Sequence, residues 1–356
     1  MVDVMRKYYI DNLRSMAVIL LFPYHVFMIY NNWGENFYIK GVSNIYLSNF
    51  IVLVWPWFMP LLFVLAGIST AYALEKRTII EYIKERVLRL FIPVVFGILI
   101  TIPSMSFIAD RFHNRYVGNY FQHYIIFFTK ITDLSGYDGG FTPGHLWFIL
   151  YLFIISIMAI PIITFTRKRN LYVEKVNIIV LILLFLIPLF GQLILDISGK
   201  SLGEYFCFFI IGYYLLSNEN IIEKTEKYWY IIFLLFFGCM TIIFTVFNEV
   251  VILDNLLLEI VLGMYAYTGV LSFILVGKKC LNETNALSEY LSKSSFSVYF
   301  FHQTWIIIIG YFIFRIFNNI IIQLIFILIV SIILTFGSYE LCKKNKITRF
   351  LFGIKK

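Results

Sequence analysis

Long apolar runs recur along the whole chain and constrain its fold more than any other feature. A helix needs about 20 mostly apolar residues to cross a bilayer, and the 356-residue sequence offers ten runs of this kind. They are 10–30, 50–74, 91–109, 145–166, 177–195, 203–217, 228–247, 257–277, 294–315 and 320–342. The sixth run is short. The first is expected to be a retained helix, because it lacks the small-residue cleavage site of a signal peptide.

The composition supports the same interpretation. Hydrophobic residues make up 60% of the sequence and charged residues only 14%, whereas soluble domains carry about 25% charged residues. These values exclude a soluble enzyme, a disordered chain and a small disulfide scaffold. We therefore predict an all-α polytopic membrane protein with about ten transmembrane helices in a single domain over 1–356.

The basic residues are distributed unequally between the two sides of these runs. One set of connecting segments holds 22 Lys and Arg residues, and the other set holds 5. The basic set comprises 1–9, 75–90, 167–176, 218–227, 278–293 and 343–356. Because Lys and Arg collect in cytoplasmic loops, we expect both termini in the cytoplasm and the protein in the cytoplasmic membrane. The net charge of +8 then needs no nucleic-acid partner.

The four cysteines do not predict a disulfide framework. Cys207 and Cys239 lie in apolar runs, whereas Cys280 and Cys342 lie in basic segments assigned to the cytoplasm. Disulfides form on oxidising faces of a membrane, and no pair of these residues is placed there.

The first apolar run carries ionisable side chains, which are costly inside a bilayer and therefore mark functional candidates. Arg14 and His25 are 11 residues apart, about three helical turns, so they share a face about 16 Å apart along the axis. Asp11 precedes Arg14 by three residues and can pair with it. Imidazole suits proton transfer near neutral pH. The alternative is a snorkelling arginine and a hydrogen-bonded core histidine, but the shared face favours a functional site.

A second candidate lies in the basic segment before the third run. Arg86 and Arg89 stand at i and i+3, which predicts one helical face with two guanidinium groups at the cytoplasmic mouth. Paired guanidinium groups bind phosphate oxygens in a bidentate way. The same spacing also fits an ordinary basic segment that only keeps this end of the helix on the cytoplasmic side.

The other histidines give weaker signals. His145 and His302 lie in predicted spans, and each alone is expected to be a packed, hydrogen-bonded residue that supports the site. His113 and His123 lie in the loop 110–144 and are expected to be solvated. This aromatic loop and the segment 31–49 are the segments expected to form a lid or an acceptor site on the exported side. We find no metal-ligand spacing, nucleophile elbow or Gly-rich phosphate loop.

Five motifs carry a family resemblance. They are Tyr8-Tyr9-Ile10-Asp11-Asn12-Leu13-Arg14 through Pro23-Tyr24-His25, Phe63-Val64-Leu65-Ala66-Gly67, Arg86-Val87-Leu88-Arg89 with Pro93, His145-Leu146-Trp147-Phe148, and Ser297-Val298-Tyr299-Phe300-Phe301-His302. In this order the chain resembles the acyltransferase-3 family of integral membrane acyltransferases, closest to its glucan biosynthesis branch. One departure is that the acidic, aromatic motif of many members reads Trp55-Pro56-Trp57-Phe58-Met59-Pro60 here, so no acidic role is carried to it.

The resemblance implies a function and roles for the residues. Family members move an acyl group, often acetyl or succinyl, from cytoplasmic acyl-CoA to an extracytoplasmic or membrane-embedded acceptor such as a sugar hydroxyl. It implies that His25 is catalytic, that Arg14 assists it, and that Arg86 and Arg89 contact acyl-CoA. The expected partners are acyl-CoA as donor substrate, a carbohydrate or glycolipid acceptor and membrane lipids, with no metal and no tightly bound cofactor.

Two other classes of protein remain open from the sequence. A transporter or flippase of a lipid-linked sugar is typically built from repeats around a midplane site, and no repeat is evident here. A membrane receptor or scaffold gives no reason for Arg14 and His25 to share a helix face.

Overall fold

The described part of the chain is built from helices. The computed structural model describes residues 7–33, 37–166 and 176–354, and within these ranges it contains no β-strand. The α-helices are α1 (Tyr8–Met28), α2 (Ile45–Lys76), α3 (Ile79–Arg86), α4 (Ile92–Ile100), α5 (Ile102–His113), α6 (Tyr120–Thr129), α7 (Trp147–Thr166), α8 (Ile178–Leu183), α9 (Leu186–Gly191), α10 (Leu202–Tyr214), α11 (Glu219–Lys227), α12 (Trp229–Phe247), α13 (Asn255–Cys280), α14 (Ala286–Ile316), α15 (Ile320–Lys344) and α16 (Lys346–Leu351). A π turn (Val87–Phe91) joins α3 to α4, and a 3₁₀ turn (Gly144–Leu146) precedes α7. The all-α prediction is confirmed.

Seven helical segments in the described ranges are long and apolar enough to cross a membrane. They are Ile45–Lys76, Ile79–His113, Gly144–Thr166, Trp229–Phe247, Asn255–Cys280, Ala286–Ile316 and Ile320–Lys344. The protein is therefore a polytopic membrane protein, and these segments contain seven of the ten predicted runs. The other three runs fall on α1, on the shorter apolar stretch Ile178–Gly191, and on α10. The count of ten and the cytoplasmic termini stay predictions.

The chain divides into two compact units that alternate along the sequence. The first unit is formed by the described residues of Met1–Ala17, Val52–Glu85 and Leu152–Ser292. The second is formed by those of Val18–Ile51, Arg86–Tyr151 and Lys293–Lys356. The prediction of one domain over 1–356 is not decided by this division.

Glycines set the packing of α2 against α10 in the first unit. A Cβ atom added to Gly67 would lie 2.1 Å from the carbonyl oxygen of Phe209, and one added to Gly212 would lie 2.3 Å from that of Val64. Helices in membranes associate through such close contacts because lipid gives little hydrophobic drive for association. The motif Phe63–Gly67 is therefore a helix-packing motif.

Ion pairs join the start of the chain to α11 and α13 in the same unit. Glu219 accepts a hydrogen bond from Lys7, and its other oxygen lies 2.7 Å from the ammonium group of Lys278. Lys278 also lies 3.2 Å from Glu226. Burial opposes ionisation of Glu219, but the hydrogen bonds from Lys278 and Lys7 outweigh it and hold the pKa of this carboxyl below its usual value.

Candidate active site

Three histidines from distant parts of the sequence come together in the second unit. The ring centroids of His25 and His302 are 5.2 Å apart, and those of His302 and His145 are 5.1 Å apart. His302 is therefore the middle member of a row of three imidazole rings. The sequence predicted His145 and His302 as separately packed histidines, and the structure groups both with the predicted catalytic residue, His302 in contact with His25 and His145 in contact with His302.

Backbone carbonyl groups fix the orientation of two of the rings. Nε2 of His145 donates to the carbonyl oxygen of Phe300 at 2.9 Å, and Nδ1 of His302 donates to that of Tyr299 at 2.7 Å. A carbonyl oxygen can only accept, so each of these nitrogens carries the hydrogen. In the neutral rings the opposite nitrogens, Nδ1 of His145 and Nε2 of His302, then hold lone pairs. Both atoms are buried without a hydrogen-bond partner.

His25 differs from the other two histidines because the residue is only half-buried, whereas His145 and His302 are buried. Its Nδ1 atom is buried without a partner, which leaves Nε2 as the nitrogen nearer the accessible surface. Phe37 stacks on this ring with centroids 6.1 Å apart and planes inclined by 10°. Tyr24 contacts it edge-on at 5.2 Å. His25 therefore presents one nitrogen outward and one inward.

The two predicted lid loops contribute an aromatic cluster beside His25. Phe37 and Tyr38 from the first loop pack edge-to-face against Tyr137 from the second, with centroids 5.8 and 5.0 Å away. The hydroxyl of Tyr38 donates to the carbonyl oxygen of Ser135 at 3.1 Å. The two loops thus form one cover next to the candidate catalytic ring, and their position on the exported side stays a prediction.

The turn before α7 places His145. Gly144 has a φ of +53°, a left-handed conformation that glycine adopts without steric cost. The hydroxyl of Tyr299 donates to the carbonyl oxygen of His145, which ties this turn to α14. Gly97 of α4 lets this helix pack closely against Leu146 and Phe300, because a Cβ there would lie 2.2 Å from Leu146 and 2.7 Å from Phe300. The position of His145 therefore depends on two glycines and two backbone carbonyl groups.

Arg14 makes the predicted contact with Asp11. Their side chains are 3.2 Å apart, and Arg14 also donates to the hydroxyl of Ser69 at 2.8 Å. Arg14 and Asp11 lie in the part of α1 that belongs to the first unit, whereas His25 belongs to the second. The helix face that Arg14 and His25 were predicted to share is thus a feature of α1 alone, and the roles of Arg14 and Asp11 in the reaction stay predictions.

Arg86 and Arg89 lie where the helical pattern changes. Arg86 ends α3 and Arg89 lies within the π turn, in which the N–H of Ile92 bonds to the carbonyl oxygen of Val87. A π turn closes on i+5 and is wider than an α-helical turn, so the predicted α-helical i, i+3 face does not apply here. Single π turns are frequent at functional sites. Both arginines belong to the second unit, as His25 does.

The prediction that His123 is solvated is wrong, whereas His113 is half-buried and partly exposed. His123 is fully buried, with its Nε2 3.3 Å from Asp110, and His113 bonds to the carbonyl oxygen of Phe37 at 2.6 Å. Asn119 caps the start of α6, and α6 packs against α5, where His123 meets Asp110. Burial holds the pKa of His123 below its usual value, and Asp110 acts in the opposite direction.

Sequence reasoning missed Phe37, Ser69 and the carbonyl groups of Tyr299 and Phe300. Only the two carbonyl groups had a signal in the sequence, because the motif around His302 contains Tyr299 and Phe300. In the described ranges no group of three or more His, Cys, Asp or Glu side chains has an arrangement that could hold a metal ion. Two of the three histidines in the row make hydrogen bonds to backbone carbonyl groups.

Comparison with known proteins identifies the family. The acyltransferase-3 family model, described as "Acyltransferase domain", matches residues 7–340. The chain belongs to the acyltransferase-3 family. All five of the motifs that carried the resemblance lie within the matched residues, which agrees with membership of this family of membrane acyltransferases.

Curated relatives of the acyltransferase match over part of its length. They include "Glucans biosynthesis protein C" of Salmonella paratyphi B (strain ATCC BAA-1250 / SPB7), of Salmonella heidelberg (strain SL476) and of Salmonella dublin. Each is 24% identical over 171 residues, which is 46% of this chain and 41% of the relative. The chain thus covers about two fifths of the length of these relatives. No solved structure matches it.

Proposed function

We propose that this acyltransferase moves an acetyl or succinyl group from cytoplasmic acyl-CoA to a hydroxyl of a carbohydrate or other envelope acceptor. The acceptor is extracytoplasmic or embedded in the membrane, and the enzyme lies in the cytoplasmic membrane. The observation that carries the proposal is His25, a half-buried residue whose inner imidazole nitrogen is buried beside a second histidine. No acidic side chain is needed to supply the base.

The proposed reaction uses His25 as the general base. Its Nε2 takes the proton of the acceptor hydroxyl, and the oxygen attacks the thioester carbonyl carbon. The C–O bond forms, the C–S bond breaks, and the leaving CoA thiolate takes the proton back from the imidazolium. The products are the acyl ester and CoA. A transient acyl-histidine that the acceptor hydroxyl then attacks uses the same residue and gives the same products.

Arg86 and Arg89 are proposed to hold the donor by its nucleotide phosphates. Guanidinium groups match phosphate oxygens in geometry and charge, and the π turn that carries Arg89 is an unusual local structure of the kind found at functional sites. Arg14 stays in the proposal as a residue that binds the donor or stabilises the developing oxyanion. Asp11 supports it through their ion pair.

Two observations support a carbohydrate acceptor. The relatives that match the chain carry the name "Glucans biosynthesis protein C". The cover beside His25 is built from the aromatic side chains of Phe37, Tyr38 and Tyr137, and aromatic surfaces with polar tips offer both packing and hydrogen bonds. Tyr137 is partly exposed and is the member best placed to meet an acceptor.

The test follows radiolabel from donor to acceptor. Purified enzyme is incubated with acyl-labelled acetyl-CoA or succinyl-CoA and a cell-envelope fraction, in parallel with the His25→Ala variant. We expect label in an envelope carbohydrate, removable by mild alkali as an ester is, and none with the variant. Label that stays entirely on CoA with both donors and every envelope fraction contradicts the proposal. Movement of an unlabelled glycan across the membrane without CoA would indicate a transporter instead.

A further inference from the structure

We propose that His302 is the positioning residue of His25, and that its Nε2 atom accepts a hydrogen bond from Nδ1–H of His25. This inference rests on the proposed function, because it assigns a partner to the residue proposed as the base. In serine-type triads a carboxylate holds the basic histidine in the correct tautomer. Here a neutral imidazole takes that position.

His302 has one ring nitrogen whose hydrogen-bonding capacity is not used. Its Nδ1 donates to the carbonyl oxygen of Tyr299 at 2.7 Å, so in the neutral ring the lone pair lies on Nε2. That atom is buried and has no partner. A buried acceptor without a donor costs about 1–3 kcal/mol, so the site is completed only by a neighbouring N–H or O–H.

His25 is the neighbouring residue that can supply this donor. The ring of His25 is 5.2 Å away from that of His302, centroid to centroid, with planes inclined by 37°. Its own Nδ1 is also buried without a partner. One unpartnered acceptor and one unpartnered nitrogen therefore lie on neighbouring rings. A rotation of these rings that brings the two atoms within hydrogen-bond distance satisfies both if the hydrogen of neutral His25 lies on Nδ1.

The consequence for catalysis follows from the single hydrogen of a neutral imidazole. When Nδ1 of His25 carries it, the outward Nε2 holds the lone pair and is ready to accept the hydroxyl proton. The other tautomer would place the hydrogen on Nε2, and His25 could not act as a base there. His302 thus selects the reactive tautomer and fixes the plane of the ring.

His145 contacts His302 rather than the ring of His25. Its ring packs against Tyr299 and His302, whereas the ring of His25 packs against Tyr24, Phe37 and His302. The free nitrogen of His145 is an acceptor, like that of His302, so these two atoms cannot bond to each other. His145 is therefore assigned to packing against His302, which holds that ring in place.

The first test compares two substitutions of His302. His302→Leu removes the acceptor, and His302→Gln keeps an amide oxygen that can occupy the position of Nε2. We expect the Leu variant to lose about 100-fold or more in kcat, because a base in the wrong tautomer loses most of its effect. KM values for acyl-CoA and acceptor should stay within a few-fold. The Gln variant should recover at least tenfold of the lost kcat.

The matched control is His123→Gln, which alters an equally buried histidine of the same unit outside the three-histidine row. It should keep kcat within a few-fold of wild type. If His302→Leu also stays within a few-fold while His25→Ala abolishes transfer, the positioning role is wrong and the proposed function stands. If His25→Ala retains activity, the proposed function fails first.

The second test reads the tautomers in the wild-type enzyme, and so its result does not depend on the activity or folding of His302→Leu. The chain contains five histidines, few enough for ring ¹⁵N resonances of selectively labelled, detergent-solubilised enzyme to be assigned with single substitutions. Neutral His25 is expected to carry its hydrogen on Nδ1, as is His302, and His145 is expected to carry it on Nε2. A His25 hydrogen found on Nε2 overturns the inference.

Discussion

At the scale of single residues, the candidate site depends on where hydrogens are placed. Nδ1 of His302 and Nε2 of His145 both donate to backbone carbonyl oxygens of α14. Backbone groups hold their positions more rigidly than long side chains, and they add no charge to a low-dielectric interior, where an unpaired charge is costly. These two contacts therefore orient the rings without adding a charge to the site.

The arginine pair gives the prediction that belongs to this scale. Arg86→Lys and Arg89→Lys keep the charge but lose the planar fork that matches phosphate. Each should raise the KM for acyl-CoA more than it lowers kcat, because contacts equally strong in ground and transition states act on KM. Steady-state kinetics with acyl-CoA and with acyl-pantetheine, which lacks the nucleotide phosphates, provide the measurement.

The truncated donor is the control in that experiment, and it should respond little to either substitution. Loss of kcat at unchanged KM, equal for both donors, would place the arginines in the catalytic centre or in folding. The assignment to the phosphates would then be wrong.

At the scale of elements, the packing of helices explains motifs that look functional in the sequence. Gly67 ends a motif shared with the family, yet its contact is with the backbone of α10 rather than with the histidines. The apolar runs predicted the positions of seven long helical segments, but two of these segments begin well before the predicted run, Ile79–His113 against 91–109 and Ala286–Ile316 against 294–315. The burial of His123 could not be predicted, because it depends on how α6 returns to α5 and a single sequence does not specify that contact.

Gly67→Ala tests this packing. The new Cβ would lie 2.1 Å from the backbone of α10, so the helices must separate, at a cost of about 1–3 kcal/mol. Gly238→Ala on α12 is the matched control, because nothing lies within 4 Å of a Cβ there, and helix propensity should make it neutral or stabilising by up to about 1 kcal/mol. Thermal unfolding in detergent should show a lower Tm for the first variant only. Equal Tm values would contradict the close contact.

The ion pairs of α11 predict a dependence of stability on pH. Because the folded protein holds the pKa of Glu219 below its usual value, this group stabilises the fold above its unfolded pKa of about 4.3. That contribution is lost as the pH falls through the folded pKa. Glu219→Gln should therefore narrow the difference between Tm values at pH 7 and pH 4, whereas Glu223→Gln, an exposed site on the same helix, should not. An unchanged difference in Glu219→Gln would refute this account.

At the scale of the whole molecule, the sequence and the structure answer different questions. The five motifs and the unequal distribution of basic residues predicted the class, the family and a topology, because these depend on composition and order. The grouping of His25, His145 and His302 depends on contacts between residues up to 277 positions apart, as the residue numbers show, and no local pattern encodes it. The pairing of Arg14 with Asp11 was predictable, because one helical turn specifies it.

The predicted topology can be tested with the native cysteines. Cys280 is exposed at the end of α13 and is assigned to the cytoplasm, so a membrane-impermeant maleimide should label it only after the cells are permeabilised. A Val117→Cys variant is the matched control, since Val117 is 91% exposed in the loop assigned to the exported side. Labelling of Cys280 in intact cells would reverse the assignment.

The central claim is that acyl transfer depends on the imidazole of His25, and a single-turnover measurement tests this claim most directly. Wild-type enzyme, His25→Ala and His123→Gln are each loaded with labelled acetyl-CoA and mixed with the acceptor that the envelope experiment identifies. The account predicts that His25→Ala lowers the rate of transfer by about 10²–10⁴-fold, with unchanged donor binding and a Tm near that of wild type, while His123→Gln transfers at close to the wild-type rate. Transfer by correctly folded His25→Ala within a few-fold of wild type would contradict it.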